Sequence, residues 1–126
     1  MKKIKLLEVL NLDEEKASRF IAKFSAWEKK IEAQHDMVEE AGEDLSKALN
    51  KDNNESEIVK LTDVYLKEKG KMLNLTNEMN DDFKTFLGPV NFAKYLIFEE
   101  RFRQEIGRAL FEHRMDKRHR PPDEDE

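Results

Sequence analysis

The sequence contains no cysteine among its 126 residues. Disulfides and thiolate chemistry are therefore excluded, although the redox compartment stays open. It also has only four glycines and three prolines. Because these two residue types mark most turns, the chain has few places to turn. Its secondary-structure elements must be few and long.

Apolar residues are also scarce, since they make up 38% of the chain while charged residues make up 40%. A chain of this length forms one domain, and so low an apolar content gives it a shallow core. No stretch alternates apolar and polar residues with the two-residue period of a half-buried strand. We therefore predict an all-α fold.

Long apolar runs are absent as well, so we expect no membrane insertion. The start, with Lys2 and Lys3 before Ile4, resembles a secretory signal, but Glu8 and Asp13 interrupt it before an apolar core of adequate length. We expect either a cytoplasmic protein or a mature form whose leader has been replaced by a start methionine. The formal net charge of −5 argues against nucleic acid as the main partner.

The middle of the chain has the pattern of a helical hairpin. Asp13 is a good N-cap for a long helix, and a polar loop at residues 51–55 separates this helix from another that we expect to begin at Ser56. Apolar positions recur every seven residues in both helices, which is typical of coiled-coil-like packing. The rows are Ala17, Phe24, Ile31, Val38 and Leu45; Phe20, Trp27, Gln34, Ala41 and Ala48; and Ile58, Tyr65, Met72, Met79 and Phe86.

Further apolar residues flank the row of the third helix, and two acidic residues interrupt its inner face. The flanking residues are Leu61, Leu75 and Phe83 on one side and Leu66 and Leu73 on the other, and the acidic residues are Glu68 and Asp82. A shorter helix precedes the hairpin. Ile4, Leu7, Val9 and Leu10 indicate that this helix is amphipathic, and we expect it to end near Asn11.

The last helix begins at a break, Leu87-Gly88-Pro89, because proline ends one helix and suits the first position of the next. Glu99 and Arg103 have the spacing of an intrahelical ion pair, which we interpret as a packing and register device. One broad stripe of this helix is apolar and predicts a packed face: Phe92, Tyr95, Leu96, Phe98, Phe102, Ile106, Ala109 and Leu110. The other side carries candidate client- or partner-binding residues: Lys94, Ile97, Arg101, Arg108 and Phe111.

These features resemble the Spy/CpxP family of periplasmic chaperones and heavy-metal stress sensors. The resemblance lies in a short helix, a long helix opening at Leu-Asp-Glu-Glu-Lys, a hairpin, and a last helix opening at Leu-Gly-Pro-Val-Asn. The family has two Leu-Thr-x-x-Gln motifs, in which Thr and Gln form a capping box. Their altered copies here are Leu12, Asp13 and Lys16, and Leu87, Gly88 and Asn91.

The resemblance covers residues from about Ile4 to Met115, so we expect one domain over residues 1–115 and a disordered charged tail over residues 116–126. It implies a short N-terminal helix plus three long antiparallel helices in a thin, curved layer, assembled as a cradle-like homodimer. It also implies an ATP-independent periplasmic chaperone that binds unfolded or partly folded proteins on an apolar and basic concave face, without a cofactor.

Two other functions stay open, namely a sensor of envelope stress or heavy metals and a helical module that binds one fixed partner. For a metal, the candidate ligands are His35 and His113, followed by His119, Glu112, Met37 and Met115. No two histidines have the four-residue spacing that places both on one helix face, so we predict no metal site. We expect no enzyme activity, because no catalytic arrangement is recognisable.

Overall fold

The computed structural model describes the backbone of residues 2–51 and 54–119 and the side chains of residues 2–51 and 54–112. These residues form helices joined by short connections, which confirms the all-α prediction. The helices are α1 (Lys2–Leu10), α2 (Glu14–Lys51), α3 (Glu55–Leu87) and α4 (Pro89–His119). No helix among the described residues is both long enough and apolar enough to cross a membrane.

The helices pack as two compact units. The hairpin unit, residues 12–88, contains α2 and α3, and the α1/α4 unit contains α1 and α4. The single domain over residues 1–115 and the thin layer of antiparallel helices stay predictions. α4 is helical to His119 and so includes the first residues of the predicted disordered tail, whereas residues 120–126 lie outside the described part of the chain.

Both helices of the hairpin unit begin at side-chain caps. The Asp13 carboxylate accepts a hydrogen bond from the backbone N–H of Lys16 at 2.8 Å, as its predicted N-cap role requires. Asn54 caps α3 by accepting from the N–H of Glu57 at 3.2 Å. α3 therefore begins at Glu55, one residue before the predicted start at Ser56, because Asn54 supplies the cap.

The core of the hairpin unit follows the predicted seven-residue rows, whose members are all buried or half-buried. Phe20 and Phe83 are fully buried, and their ring centroids lie 5.1 Å apart. Phe24 stacks on Phe83 with centroids 6.2 Å apart. The flanking residues Leu66 and Leu73 are instead 60% and 61% exposed. These two flanking positions lie outside the packed face, because a helix with one partner buries only one stripe of its surface.

Polar contacts lie at two places within this largely apolar interface. The Trp27 indole N–H donates to Asp82 Oδ2 at 2.8 Å, and Lys23 Nζ donates to Asp82 Oδ1 at 3.1 Å. Nearer the loop, Gln34 Nε2 donates to the backbone carbonyl of Glu68 at 2.9 Å and to its carboxylate at 3.1 Å. These contacts satisfy the acidic groups that interrupt the inner face of α3.

The same contacts shift the pKa values of the Asp82 and Glu68 carboxyl groups. The hydrogen bond from Trp27, and then the Lys23 ammonium, lower the pKa of Asp82 below its ordinary value. The hydrogen bond from Gln34, and then contact with Lys71, lower the pKa of Glu68. Both groups are therefore held in the charged form at neutral pH.

α3 ends at Leu87, and α4 begins at Pro89, as the break in the sequence predicts. Gly88 has a φ of 81°, a conformation that L side chains rarely adopt, and its N–H donates to the carbonyl of Lys84 at 3.1 Å. This bond satisfies one of the carbonyls left free at the end of α3.

In the α1/α4 unit, α1 buries only part of the apolar pattern that indicated an amphipathic helix. Leu6 and Leu10 are buried, whereas Ile4 and Val9 are 56% and 43% exposed. The sequence offers apolar residues on nearly every side of this short helix, so periodicity alone selects the face poorly. Asn11 ends the helix with a φ of 50° and donates its N–H to the carbonyl of Leu7.

The apolar stripe of α4 is only partly covered. Tyr95 is 3% exposed, but Leu96, Ile106 and Leu110 are between 42% and 54% exposed, and every residue from 103 to 112 is exposed. The predicted packed face is therefore wrong for this half of the helix. The reason is length, because α1 has nine residues and α4 has 31, so α1 can cover only part of its partner.

The predicted Glu99–Arg103 pair does not form. Glu99 Oε2 instead accepts from Lys2 Nζ of α1 at 3.0 Å, and Arg103 lies 3.5 Å from Glu100 on the exposed surface. Burial, and then the Glu99 carboxylate, raise the pKa of the Tyr95 hydroxyl above its ordinary value. Glu99 thus joins α4 to α1 rather than to the next turn of its own helix.

We predict that Asp82→Ala lowers the free energy of unfolding by about 1–2 kcal/mol, because it leaves the half-buried Trp27 indole N–H without its acceptor. Urea unfolding followed by Trp27 fluorescence measures this loss. The matched control is the exposed neighbour Asp81, whose replacement by alanine should change stability by less than about 0.5 kcal/mol. Equal effects at the two positions would show that the contact is not stabilising.

We also predict acid sensitivity of the same unit. Since folding lowers both pKa values, the unfolded state binds protons first, so this stabilisation is complete at neutral pH. It is lost as the pH falls below the ordinary values of 4.5 for Glu68 and 3.8 for Asp82. In unfolding titrations from neutral to acidic pH, the variant Glu68→Gln/Asp82→Asn should lose less stability than the wild type. Equal losses of stability in the variant and the wild type would contradict the assignment of this acid sensitivity to Glu68 and Asp82.

Candidate functional site

A large concavity lies in the α1/α4 unit, between α1 and the first half of α4. It is an open groove of about 1020 Å³, which we call the α1/α4 groove. Its lining combines apolar side chains with charged ones. The apolar residues are Val9, Pro89, Val90, Ala93, Ile97, Phe98 and Phe102, and the charged residues are Lys5, Glu8, Lys94, Arg101 and Glu105.

Two aromatic rings of α4 lie in the apolar part of the groove. Phe98 and Phe102 stack with centroids 5.8 Å apart, and both are half-buried. Lys2 Nζ lies 5.2 Å from the centroid of Phe102, while also bonding Glu99. α1 therefore helps to fix the rings through a cation–π contact and an ion pair.

Exposed apolar and cationic groups alternate along the α4 side of this groove. Val90 and Ile97 are 68% and 54% exposed and lie seven residues apart, which places them on one face of the helix. Lys94 and Arg101 are also exposed, also seven residues apart, and interleave with them. Such a surface can contact an apolar segment and attract carboxylates beside it.

Of the five predicted binding residues, the structure brings three together in the groove: Lys94, Ile97 and Arg101. Arg108 and Phe111 are exposed, and Phe111 is 63% exposed, but they lie further along α4 and are not part of the groove lining. The α1 residues Lys5, Glu8 and Val9 were missed as site residues, and so were Val90 and Glu105 of α4. For α1, the only signal in the sequence was its amphipathic pattern, which does not say which part of α4 it meets.

The groove carries charges of both signs. Three cationic residues and two acidic residues line it, so the excess of positive charge is one unit. Because Glu8 and Glu105 repel anions, the groove is not simply an anion-binding site. The arrangement suits amphipathic segments, whose apolar groups enter the groove while their charged groups pair at its edge.

The residues of the two altered family motifs lie at helix ends. Asp13 caps α2, and Gly88 ends α3. The Lys16 ammonium lies 5.5 Å from the centroid of the Phe86 ring, which is a contact within the hairpin unit. The remaining motif residues are either buried, as Leu87 is, or half-buried, as Leu12 and Asn91 are. Their described contacts are those of helix termini and packing.

Among the candidate metal ligands, His35 has acidic neighbours, since candidate ligand atoms of His35, Asp36 and Glu39 lie within 4.8 Å of one another. All three side chains are exposed on one stretch of α2, and His35 Nδ1 lies 4.0 Å from Glu39. Met37 and Glu112 are exposed as well. The side chains of His113, Met115 and His119 lie outside the described ones. This surface cluster lacks the hydrogen-bonded surroundings that orient metal ligands.

Comparisons with protein-family models, with curated proteins and with solved structures give no match to this chain.

We predict that groove residues and buried residues of α4 differ sharply in their effect on stability. Tyr95→Ala should lower the free energy of unfolding by about 3 kcal/mol, because it removes a buried aromatic side chain. Ile97→Ala and Phe111→Ala should each change it by about 0.5 kcal/mol or less, because both side chains are mainly exposed. Urea unfolding measures all three. A large loss at Ile97 would show that this residue stabilises the fold.

Proposed function

We propose that this protein is an ATP-independent, chaperone-like protein that binds apolar segments of unfolded or partly folded proteins in the α1/α4 groove. The single observation that carries the proposal is the groove itself, where the exposed Ile97 lies beside Phe98 and between Lys94 and Arg101. The resemblance of the sequence to Spy/CpxP proteins supports it independently of the groove.

The physical properties of the groove suit reversible capture. Burying one apolar side chain completely contributes about 1.5–3 kcal/mol, so a few partly buried contacts give weak, readily reversed binding. Cationic groups beside the apolar ones accelerate encounters with acidic segments. Release then needs no nucleotide, because a client that folds withdraws its own apolar residues from the groove.

The proposal includes the arrangement and location that the family resemblance implies. The helices would form a thin, curved layer, paired with a second copy as a cradle-like homodimer in the periplasm or cell envelope. A heavy-metal or envelope-stress sensor and a module with one fixed partner are the alternatives. The exposed His35 cluster is the observation that bears on the sensor, whereas the groove bears equally on the fixed-partner module.

Light scattering of a denatured client tests the proposed function. We expect the wild-type protein to suppress aggregation at stoichiometric amounts without ATP. The double variant Ile97→Ser/Arg101→Gln should bind clients about tenfold more weakly, because it removes an apolar and a cationic contact from the groove.

The matched control is Leu73→Ser/Lys60→Gln, which likewise replaces one apolar and one cationic side chain by serine and glutamine, at exposed positions of α3 outside the groove. It should protect clients as well as the wild type does. Equal loss of client protection in both variants would show that clients do not bind in the groove. Failure of the wild-type protein to suppress aggregation would reject the chaperone function. Suppression of aggregation for several unrelated clients separates a chaperone from a module with one fixed partner.

A further inference from the structure

Exposed apolar side chains of the hairpin unit are concentrated on one of its two long sides. Among the described residues of α2 and α3, six large apolar side chains are at least 43% exposed: Met37, Leu49, Val59, Val64, Leu66 and Leu73. Val59, Leu66 and Leu73 lie seven residues apart, so they form one row along α3. At 1.5 Å per residue, this row is about 21 Å long.

A contact between the two helices identifies the side on which this row lies. Gly42 of α2 faces the Tyr65 ring of α3, and a Cβ atom at Gly42 would lie 3.4 Å from that ring. Lys69 Nζ lies 5.3 Å from the centroid of the same ring. Leu66 and Leu73 are three and four residues away from Lys69, so they lie on the same face of α3.

One stripe of each helix therefore borders the glycine–tyrosine contact, and we call the two stripes together the Leu66 face. Successive residues in each stripe are three or four positions apart. The α2 stripe is Glu32, His35, Glu39, Gly42, Ser46 and Leu49, and the α3 stripe is Val59, Thr62, Leu66, Lys69, Leu73 and Thr76. Four of the six exposed apolar side chains belong to this face. The other two, Met37 and Val64, lie on the opposite side, in the rows of Lys23 and Lys71, which contact the acidic residues at the interface.

The two helices bring opposite charges to this face. Residues 31–46 of α2 include six acidic side chains and no lysine or arginine. Residues 59–73 of α3 include four lysines and two acidic side chains. Within the face itself, Glu32 and Glu39 lie on the α2 stripe and Lys69 lies on the α3 stripe, and all three are exposed. The Leu66 face is therefore acidic along α2 and basic along α3.

The shape and charge of this face favour a third helix over other ligands. An α-helix can present apolar residues with the same seven-residue period, and it can lie along the seam between two packed helices. An anionic lipid surface or a nucleic acid would be repelled by the acidic side chains of α2. An extended strand would find no free backbone groups along the sides of two helices.

We propose that the Leu66 face binds a preformed amphipathic helix of a partner protein, which completes a three-helix bundle with α2 and α3. The apolar stripe of the partner helix contacts Leu66 and Leu73, its edge toward α2 is basic, and its edge toward α3 is acidic. The Leu66 face belongs to the hairpin unit, and none of its residues lines the α1/α4 groove. The inference therefore goes beyond the proposed function and does not rest on it.

Designed helical peptides test this face on the full-length chain. Each peptide is about 21 residues long, which spans the apolar row with about one turn to spare at each end. All have one leucine stripe. The mixed peptide carries lysine along one edge and glutamate along the other, whereas the two comparison peptides carry only lysine or only glutamate.

Fluorescence anisotropy of the labelled peptides measures binding, in the Ile97→Ser/Arg101→Gln background that removes contacts in the α1/α4 groove. The mixed peptide should bind about tenfold more tightly than the glutamate-only peptide and about threefold more tightly than the lysine-only peptide. The difference is larger for glutamate because α2 carries more charge than α3. No binding of the mixed peptide, or equal binding of all three peptides, would overturn the proposal.

Leu66→Ser/Leu73→Ser should weaken binding of the mixed peptide about tenfold or more, because it removes two apolar contacts. The matched control is Met37→Ser/Val64→Ser, which changes two exposed apolar side chains on the opposite side and should leave binding within about twofold of its parent. Circular dichroism should give the same helicity for both variants, since all four side chains are at least 43% exposed. Equal effects of the two variants on binding would contradict the location of the site.

Charge reversal tests the two edges separately from the apolar row. Lys67→Glu/Lys69→Glu makes the α3 edge acidic, so the mixed peptide should bind about fivefold more weakly and the lysine-only peptide should become the tightest ligand. An unchanged order of the three peptides would show that the charges do not select the partner helix.

Two measurements without peptides distinguish other occupants of the face. In analytical ultracentrifugation, Leu66→Ser/Leu73→Ser should leave the mass of the chain unchanged, whereas a loss of self-association would show that a second copy covers the face. The same variant should protect unfolded clients as the wild type does, and a loss of protection would show that the face binds unfolded segments instead of a preformed helix. A chain that binds the mixed peptide but protects no client would reject the proposed function and leave this inference intact.

Discussion

A helix that packs against a single partner can bury only one stripe of its surface, and both helix pairs of this chain are subject to that limit. α2 and α3 bury their facing seven-residue rows and leave Leu66 and Leu73 exposed on the outside. α1 buries Leu6 and Leu10 and leaves most of α4 uncovered. With apolar residues at 38% of the sequence, the chain still has more apolar surface than these pairs enclose. Exposed apolar surface is thus a consequence of long helices in pairs.

The polar contacts inside the hairpin unit have a role that apolar packing alone cannot fill. Rows that repeat every seven residues permit α2 and α3 to slide past each other by one repeat with similar burial. Trp27 and Gln34 are seven residues apart, and each donates to an acidic residue of α3, Asp82 and Glu68 respectively. A slide would leave these groups without partners, so the two contacts specify one register at a modest cost in desolvation.

The sequence predicts features that depend on local order, such as the cap at Asp13, the break at Gly88 and the seven-residue rows of the hairpin. Prediction from the sequence fails for contacts that depend on which helices pack against each other. The spacing of Glu99 and Arg103 fits an intrahelical pair. Glu99 instead pairs with Lys2, which is distant in sequence. The groove could be predicted only in part for the same reason. Lys94, Ile97 and Arg101 of α4 follow from periodicity, but its α1 residues require the pairing of two distant segments.

The mixed charge of the groove restricts what it can bind more strongly than its size does. A purely basic groove would attract any polyanion, but Glu8 and Glu105 repel such ligands at the same edges where Lys94 and Arg101 attract them. In the proposed function, binding therefore depends on apolar contact with Phe98 and Ile97, and the charges set the orientation of the bound segment. A ligand that satisfies both conditions is an amphipathic protein segment.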